Sequence, residues 1–580
     1  MITDELIKAL QQAAEALSLS TDNIELEHPA DESFGDWSSN LALQQAKQTD
    51  SFNNPRELAE ALVGELEKIL ADNQDVEEIT VAGAGFINFK LSQQYWLDQL
   101  SSLVNQKTQL ISQSGKGKQV IVEYSSPNIA KPFTIGHLRS TIIGDALANI
   151  FEALGWQVHR DNHLGDWGTQ FGKLIYAIKT WGDQEKINSS EQPIKELVRL
   201  YVKFHEEAEK NPELDQAGRD WFKKLENGNE EARKLWQWCI ELSWQEFNQI
   251  YRELDVEFTE NDGRGYGESH FEDLMPEVIE ILKEKLPESQ ATANGGYFGQ
   301  GENGAWLVFF NNDELPPLMI LKQDGATLYS TRDLATDYFR LKHYGEPDLV
   351  INEVGAEQSL YFKQLYRIET MLGWYQPEQR VHVRHGLYRF ADKKMSTRKG
   401  NVIWLSEVIK EAKERALELA KGNQPTADLV AIGALKWNDL RSESNRDIVF
   451  VWDELLNMKG NSGPYVQYAA VRAQSVRDKA KNQASSLPEQ DLNEDELSVI
   501  RWLARFSEAV EQAAIDYAPH HLAAFLFELA QRFNTFYNRQ PIINAETPEQ
   551  QQIRLAITAA TREILTQGLM LLGIKTPEEM

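Results

Sequence analysis

The sequence predicts an α/β fold: a doubly wound (Rossmann-like) parallel-sheet domain with insertions, between a small α+β N-terminal domain and an all-α C-terminal bundle. Two observations lead to this fold class. Residues 119–159 read as strand, loop, amphipathic helix and strand, the opening unit of a doubly wound sheet. From about residue 406 onward, apolar residues recur at helical spacing almost to the end of the chain. A chain of 580 residues is also too long for one ordinary core.

The N-terminal domain is predicted to span residues 1–112. Apolar residues at helical spacing predict helices at 6–17, 55–70 and 93–103. Short apolar runs predict strands at 79–81 and 86–90, and a linker rich in Ser, Gly and Lys follows at 112–118.

The sheet domain is predicted to span residues 113–405. A buried strand at 119–124 precedes a helix that Gly155 ends, and a second strand follows at 156–159. Polar helices at 191–211 and 230–254 predict an insertion over about 183–300, and further strands are expected at 305–310, 318–323, 348–353 and 380–383. The bundle takes the remaining residues 406–580, with long helices at 463–481, 494–517, 518–537 and 548–572.

Composition narrows the class of protein. The chain is 42% hydrophobic, no apolar run approaches membrane-spanning length, and the N-terminus lacks the pattern of a signal peptide, so we expect a cytoplasmic protein without membrane contact. A single cysteine, Cys239, excludes disulfides within the chain and a cysteine-based structural zinc site. The net charge of −30 argues against non-specific nucleic-acid binding but leaves a specific RNA ligand open.

The first motif with chemical content runs from Glu123 to His137. A strand end feeds a loop and then a helix whose N-terminal amides favour a phosphate group. Gly136 would let a nucleotide approach the backbone, and His137 could donate to phosphate oxygens. Taken alone, a Gly-His pair at a helix start is more often a structural turn.

The second motif is Lys393-Lys394-Met395-Ser396-Thr397-Arg398-Lys399-Gly400, which follows a strand and the segment His385–Phe390. Four cations in a loop that ends at glycine suit the growing charge at a reacting phosphate. The alternative for such a run by itself is a solvated basic turn.

Together the two motifs resemble the paired signatures of class I aminoacyl-tRNA synthetases, H-I-G-H and K-M-S-K-S. Their surroundings, E-Y-S-S-P-N-I-A-K-P, N-H-L-G-D-W-G-T-Q-F-G and G-P-Y-V-Q-Y-A, are similar to the arginyl-tRNA synthetase family over essentially the whole chain. The resemblance implies a ligase that activates L-arginine with ATP and Mg²⁺ and transfers it to tRNA(Arg). It also implies that activation needs bound tRNA, and that the protein is a monomer.

For the arginine substrate, the resemblance implies five residues. Glu123 and Asn128 would bind the α-amino and carboxylate region, Tyr329 and Asp333 would lie by the guanidinium, and Gln358 would complete the pocket. A carboxylate meets a guanidinium through two parallel hydrogen bonds, which agrees with Asp333 in this role. Without the resemblance, Asp333 would be read as a carboxylate that favours a helix N-terminus.

For ATP and catalysis, the resemblance implies His137 and Lys394 at the two signatures, with Gly136, Gly165, Met395 and Ser396 beside the nucleotide. Both signatures depart from the family pattern. Thr134 takes the place of the first histidine as a catalytic candidate, where its hydroxyl can still donate a hydrogen bond, and Thr397 takes the place of the second lysine. Candidates for the missing second lysine are Lys131, Arg398 and Lys399. A tight turn that packs Trp167 is an equal alternative for Gly165.

For tRNA, the resemblance implies an elbow-binding N-terminal domain and an anticodon-binding bundle. Phe86 and Asn88 would reach a loop base, with core packing as the alternative, stronger for Phe86 than for Asn88. The residues implied on the bundle are Tyr465, Gln467, Tyr468 and Arg472, of which the tyrosines could equally be core.

Two other functions remain open from the sequence. One is a class I synthetase for glutamate, glutamine or lysine, although the acceptor set argues against an acidic side chain. The other is a non-catalytic paralogue that binds tRNA, which Thr134 and Thr397 suggest.

Overall fold

The structure is a computed structural model that describes residues 2–47, 51–105, 110–311, 315–390, 403–480 and 487–580, without the side chains of Thr292 and Phe390. It divides into two compact units. The first consists of Met1–Leu110, Arg472–Phe506 and Glu528–Ile564, and the second of Ile111–Val471, Ser507–Phe527 and Leu565–Met580. Because the C-terminal helices contribute to both units, the three-domain division at residues 112 and 405 stays a prediction.

The N-terminal elements are α1 (Ile2–Ala16), β1 (Trp37–Ser39), α2 (Leu41–Gln45), α3 (Pro55–Ile69), β2 (Val76–Ala82), β3 (Phe86–Leu91) and α4 (Gln93–Val104). The three strands form an antiparallel sheet in the order β1-β3-β2. Pro55 at the first turn of α3 and the Asn54 side chain, which accepts from the Glu57 N–H, explain where that helix begins.

The chain then continues through β4 (Gln119–Glu123), α5 (Ile135–Ala153), β5 (Gln157–Asp161), α6 (Thr169–Trp181), α7 (Gln184–Asn188), α8 (Pro193–Lys210), α9 (Glu213–Glu226), α10 (Glu230–Leu254), α11 (Met275–Lys285) and α12 (Ala291–Asn294). Next come β6 (Gly296–Gln300), β7 (Trp306–Phe310), β8 (Leu318–Leu321), α13 (Tyr329–Tyr344), β9 (Leu349–Gly355), α14 (Ser359–Leu372), β10 (Arg380–His385) and β11 (Tyr388–Phe390).

The C-terminal elements are α15 (Leu405–Leu419), α16 (Gln424–Leu440), β12 (Ile448–Phe450), α17 (Trp452–Leu455), α18 (Gly463–Lys479), α19 (Glu494–Ala504), α20 (Phe506–Ile515), α21 (His520–Arg539) and α22 (Pro548–Leu571). The long helix predicted at 494–517 is two helices, which meet at Arg505. β12 interrupts the predicted all-helical region and pairs in parallel with β11.

A four-stranded parallel sheet with the order β10-β9-β4-β5 organises the second unit. β4 and β9 are buried along almost their whole length, as expected for strands that are covered on both faces. α5 connects β4 to β5 and is itself buried nearly all round. The carboxyl ends of β4, β5 and β9 therefore lie side by side, where doubly wound sheets bind ligands.

Two of the predicted strands lie outside this sheet. β7 and β8, expected at 305–310 and 318–323, join β6 in a separate antiparallel sheet. Helices α7 to α12 occupy the predicted insertion at 183–300. None of the helices that the structure describes is both long enough and apolar enough to cross a membrane.

Candidate active site

A cavity of about 240 Å³ opens at the carboxyl ends of the parallel strands. That volume is below the roughly 300–1,000 Å³ of pockets for drug-sized ligands, so it suits a small molecule such as an amino acid. Its lining combines residues from β4, β9, α13 and α14, from the loops after β4, β5 and β9, and from the segment before α11. They include Glu123, Ser126, Asn128, His163, Gly165, Glu268, Tyr329, Asp333, Asp337, Arg340, Asn352, Gln358 and Tyr361.

Asp333 presents a carboxylate to this cavity from the first turns of α13. Its side chain is 25% exposed, one oxygen accepts a hydrogen bond from the Tyr361 hydroxyl, and the other lies 3.6 Å from His163 Nε2. Tyr329 begins the same helix, is 52% exposed, and meets the Tyr361 ring edge-on at 4.9 Å. A planar cation could therefore reach both the carboxylate and an aromatic wall.

In the buried wall of the cavity, Arg340 binds three carboxylates at once. Its guanidinium donates to Glu123, to Asp161 at 2.8 Å and to Asp337 at 3.1 Å. Burial by itself would raise the pKa of Glu123, but the charges of Arg340 and His163 and the hydrogen bond from Arg340 together outweigh burial and leave the pKa below its usual value. Glu123 is thus ionised and already paired, so it contributes a fixed charge to the cavity rather than a vacant acceptor.

The loop between β4 and α5 holds a strained backbone. Ser125, Ser126 and Ala130 have φ angles of 71°, 46° and 56°, in the left-handed region that side chains rarely adopt. Buried hydrogen bonds keep the loop in place, including the bond from the Ala130 N–H to Ser243 Oγ at 2.8 Å. The insertion helix α10, which carries Ser243, therefore supports the loop that presents Asn128.

Gly165 lies directly against Asn128. A Cβ atom at Gly165 would come within 2.6 Å of Asn128 Oδ1, and the two segments exchange backbone hydrogen bonds at 3.1 and 3.2 Å. The close approach explains the glycine without any ligand. Trp167, in the same turn as Gly165, is buried against Trp236 of α10, with 5.5 Å between the ring centres. Contact of Gly165 with the nucleotide stays a prediction.

The start of α5 forms a second, less charged part of the site. The Thr134 backbone N–H donates to His137 Nδ1 at 3.0 Å, and the Thr134 hydroxyl lies 3.1 Å from the same atom. Because Nδ1 accepts, the neutral ring carries its proton on Nε2. Burial lowers the pKa of His137 to about 4, and the charges of His385 and Lys131 act in the same direction.

The second signature, residues 393–400, lies outside the described residues. Lys394, Met395, Ser396, Arg398 and Lys399 are all in this group. The segment that follows them is described: the Ile135 N–H donates to Ile403 O at 3.2 Å, and the Leu405 N–H donates to Phe133 O at 3.0 Å. The chain therefore returns from the second signature alongside the first.

A buried ion pair fixes α5 to the C-terminal helices of the same unit. Arg139 lies two residues after His137 and binds Asp439 of α16 through two contacts of 3.1 Å. The Tyr388 hydroxyl donates to the same carboxylate at 2.7 Å. The strand that precedes the second signature is thus connected to the helix that carries the first.

Comparison with known proteins identifies the family. The catalytic-domain model of class I tRNA synthetases (R) matches residues 99–452, the DALR anticodon binding domain matches 466–580, and the arginyl tRNA synthetase N terminal domain matches 2–91. The arginine–tRNA ligase of Halothermothrix orenii is 38% identical over 100% of this chain and 99% of its own. That of Exiguobacterium sibiricum is 39% identical over 97% of each chain.

The chain belongs to the arginyl-tRNA synthetase family.

Solved structures agree on the fold of this family. The arginyl-tRNA synthetase of Plasmodium falciparum superimposes with a TM-score of 0.82 at 24% identity, over 100% of this chain and 99% of that one. The Thermus thermophilus arginyl-tRNA synthetase has a TM-score of 0.80 at 23% identity and full coverage of both chains. The predicted fold class, an α/β sheet domain with a helical C-terminal region, is confirmed.

In the first unit, the burial of the two candidate tRNA-contact residues differs from the expectation based on the sequence. Asn88 is buried, with 3% exposure, at the centre of the sheet between Ser38 and Thr80. Phe86 at the strand end is only half-buried. The alternative of core packing therefore applies better to Asn88 than to Phe86, the reverse of the sequence-based expectation.

The four candidate tRNA-contact residues in the helical C-terminal region also differ in burial. Gln467 is fully buried, and its amide donates to Leu429 O at 3.2 Å and Lys575 O at 2.7 Å. This argues against the predicted tRNA contact, because the side chain is used within the fold. Arg472 binds Asn534 and lies 4.9 Å from the Tyr537 ring centre. Tyr465 and Tyr468 are half-buried.

The motifs did not reveal Arg340, Tyr361 or a role for His163. A pattern that could have indicated Arg340 is its position seven residues after Asp333 and three residues after Asp337, on one helix face. No group of three or more His, Cys, Asp or Glu side chains suited to a metal ion occurs among the described residues.

Proposed function

We propose that this chain joins L-arginine to AMP and then transfers the arginyl group to the 3′ end of tRNA(Arg). One observation carries the choice of arginine. Of the four carboxylates that line the cavity, Glu123 and Asp337 bind Arg340, and Glu268 binds Arg332 at 2.9 Å. Within the described residues, Asp333 alone among them has no Arg or Lys partner. It is the carboxylate left to receive a cationic side chain.

The geometry of Asp333 favours a guanidinium over an ammonium ion. A guanidinium presents parallel N–H groups to both carboxylate oxygens, whereas an ammonium ion acts as a point charge. Tyr329 and Gln358 complete this end of the cavity in our proposal. Asn128 binds the α-amino and carboxylate region, where Glu123 adds negative charge.

Activation requires positioning and charge stabilisation rather than a catalytic base. A carboxylate oxygen of arginine attacks the α-phosphorus of ATP, bound as its Mg²⁺ complex, and the bond to the β-phosphate oxygen breaks to release pyrophosphate. The His137 Nε2–H donates to a phosphate oxygen, and Lys131 supplies positive charge nearby. Lys394, Arg398 and Lys399 are the further candidates for this charge.

In the second step, a hydroxyl of the terminal tRNA ribose attacks the carbonyl carbon of arginyl-adenylate and AMP leaves. We propose that bound tRNA is already needed for the first step. Phe86, Tyr465, Tyr468 and Arg472 remain candidates for tRNA contacts.

An ATP–pyrophosphate exchange assay tests both parts of the proposal. Exchange should require arginine and tRNA together, and lysine, glutamine or citrulline should not replace arginine. Exchange with another amino acid would contradict the assigned substrate. No exchange with any amino acid, combined with intact tRNA binding, would indicate a non-catalytic paralogue.

A further inference from the structure

His163 lies in the arginine cavity between two acceptors. Its Nδ1 is 3.2 Å from the backbone carbonyl of Tyr266, and its Nε2 is 3.6 Å from Asp333 Oδ1. Nε2 is buried and, among the residues that the structure describes, has no hydrogen-bond partner within normal distance. The imidazole therefore faces the carboxylate that receives the substrate cation, at a contact slightly too long for a hydrogen bond.

This arrangement determines where the protons are. A carbonyl oxygen only accepts, so Nδ1 must carry a proton. A neutral ring would then turn the lone pair of Nε2 toward the Asp333 carboxylate, which is repulsive. A second proton on Nε2 converts that contact into an ion pair, so the vacant cavity favours the imidazolium form of His163.

We propose that His163 is a specificity-determining residue that neutralises Asp333 in the vacant cavity and releases one proton when the guanidinium of arginine binds. This inference rests on the proposed function. The incoming guanidinium takes over the carboxylate and places a second cation beside Nε2. Like charges at this distance disfavour each other, so the imidazolium gives its Nε2 proton to solvent. One cation replaces another, and the net charge of the cavity is unchanged.

The surroundings of His163 support a charged ring before binding. Burial alone would lower its pKa, but the contact with Asp333 and the charges of Glu123 and Asp333 raise it to about 9, against the opposing charge of Arg340. The charged groups that face the ring come from β4, α13, its own loop and the segment before α11: Glu123, Asp333, Arg340, Asp166 and Glu268.

The replacement of the His163 imidazolium by the substrate guanidinium distinguishes arginine from ligands of similar shape. A neutral side chain such as the urea of citrulline cannot replace the imidazolium at Asp333, because it brings no charge to balance the carboxylate. A neutral ligand must either leave the imidazolium of His163 paired with Asp333 or leave the Asp333 carboxylate without a partner in the cavity. Selection by charge is thereby present before any chemical step.

Isothermal titration calorimetry of the full chain with L-arginine tests the proposal, with and without saturating tRNA. Titrations at pH 7.5 in two buffers of different ionisation enthalpy give the number of protons released, and we expect about one per arginine. Between pH 6.5 and 8.0 the dissociation constant of the wild type should fall about tenfold per pH unit, because the vacant site is protonated and the complex is not.

The variant His163→Gln removes the titration while it keeps a neutral donor. It should bind arginine without proton release and with a dissociation constant that no longer varies over this pH range. Its melting curve is compared with the wild type to establish that it is folded. In His163→Arg the introduced side chain cannot lose its proton and keeps a positive charge beside Asp333. Arginine should therefore bind to it at least tenfold more weakly than to His163→Gln at pH 8.0.

The outcomes separate this inference from the proposed function. Absence of arginine binding to the wild type, even with tRNA, would overturn the proposed function. Binding without proton release, or release that persists in His163→Gln, would overturn the role of His163 alone. Loss of all arginine binding in a folded His163→Gln would make the imidazole a direct ligand, which also contradicts the proposal.

Discussion

The two halves of the proposed site, the cavity for the amino acid and the start of α5 for the nucleotide, offer different physical means of binding a ligand. The amino-acid half is built from buried charges: Glu123, Asp161 and Asp337 surround Arg340, and Asp333 is held by Tyr361. The half at the start of α5 presents a neutral imidazole and an exposed glycine. Fixed charges discriminate between side chains, whereas neutral donors and open space accept any nucleotide phosphate. Selectivity should therefore be concentrated in the first half.

The substitution Asp333→Asn should have the largest effect. It removes the negative charge that would pair with the substrate guanidinium and leaves that cation without a counter-ion, which costs about 2–5 kcal/mol in buried charged pairs. We expect kcat/KM for arginine to fall by roughly 10³, at about 1.4 kcal/mol per factor of ten, with little change in KM for ATP. Steady-state aminoacylation with each substrate varied in turn measures both.

Tyr361→Phe is the matched control for that variant. It removes only the hydroxyl that donates to Asp333 and keeps the carboxylate charge. We expect a loss of about tenfold, since a hydrogen bond to a charged group contributes roughly 1.5–3 kcal/mol at most. Equal losses in the two variants would show that orientation of the carboxylate, not its charge, selects arginine.

His137→Ala should have the next largest effect, on the nucleotide half. Removal of one donor to a transition-state oxyanion lowers kcat by about 10²–10³. His137→Gln places an amide N–H near the position of Nε2 and should recover part of this loss. Stopped-flow measurement of adenylate formation distinguishes the two. If His137→Gln were as slow as His137→Ala, a neutral donor would not explain the role of the histidine.

The contrast between the halves also explains what the sequence could and could not predict. The Thr134–His137 turn lies within a short local pattern, and Asp333 lies within a segment that the family resemblance covers, so both could be named from the sequence as candidates. Arg340 and Glu123 are 217 residues apart in the chain, and their pairing depends on the order of strands in the sheet. Likewise, the burial of Gln467 follows from carbonyls at Leu429 and Lys575, which no local pattern indicates.

Gly136→Ala tests whether open space at the start of α5 serves the ligand. Among the described residues, a Cβ atom there would meet only Thr134 Oγ1, at 3.4 Å, so this part of the fold accepts alanine. We expect normal stability and an increase of about tenfold in KM for ATP, which corresponds to a methyl clash of the order of 1.4 kcal/mol.

Gly144→Ala, in the same helix, is the matched control. Its Cβ atom would approach the Tyr124 side chain to 2.1 Å inside the core. This variant should lower the melting temperature while KM for ATP stays near the wild-type value. A raised KM in both variants would indicate that distortion of α5, rather than contact with the nucleotide, causes the effect.

The smallest effect should be that of pH on the nucleotide half. The pKa of His137 is about 4, because burial disfavours its charged form, so the ring stays neutral as the pH falls from 8.0 to 6.5. KM for ATP should then be nearly constant over this range, whereas affinity for arginine weakens toward low pH as His163 retains its proton. Measurement of both constants in one set of buffers compares the halves directly. A KM for ATP that rises toward low pH in the wild type, but not in His137→Gln, would mean that the ring becomes charged and would remove the distinction between them.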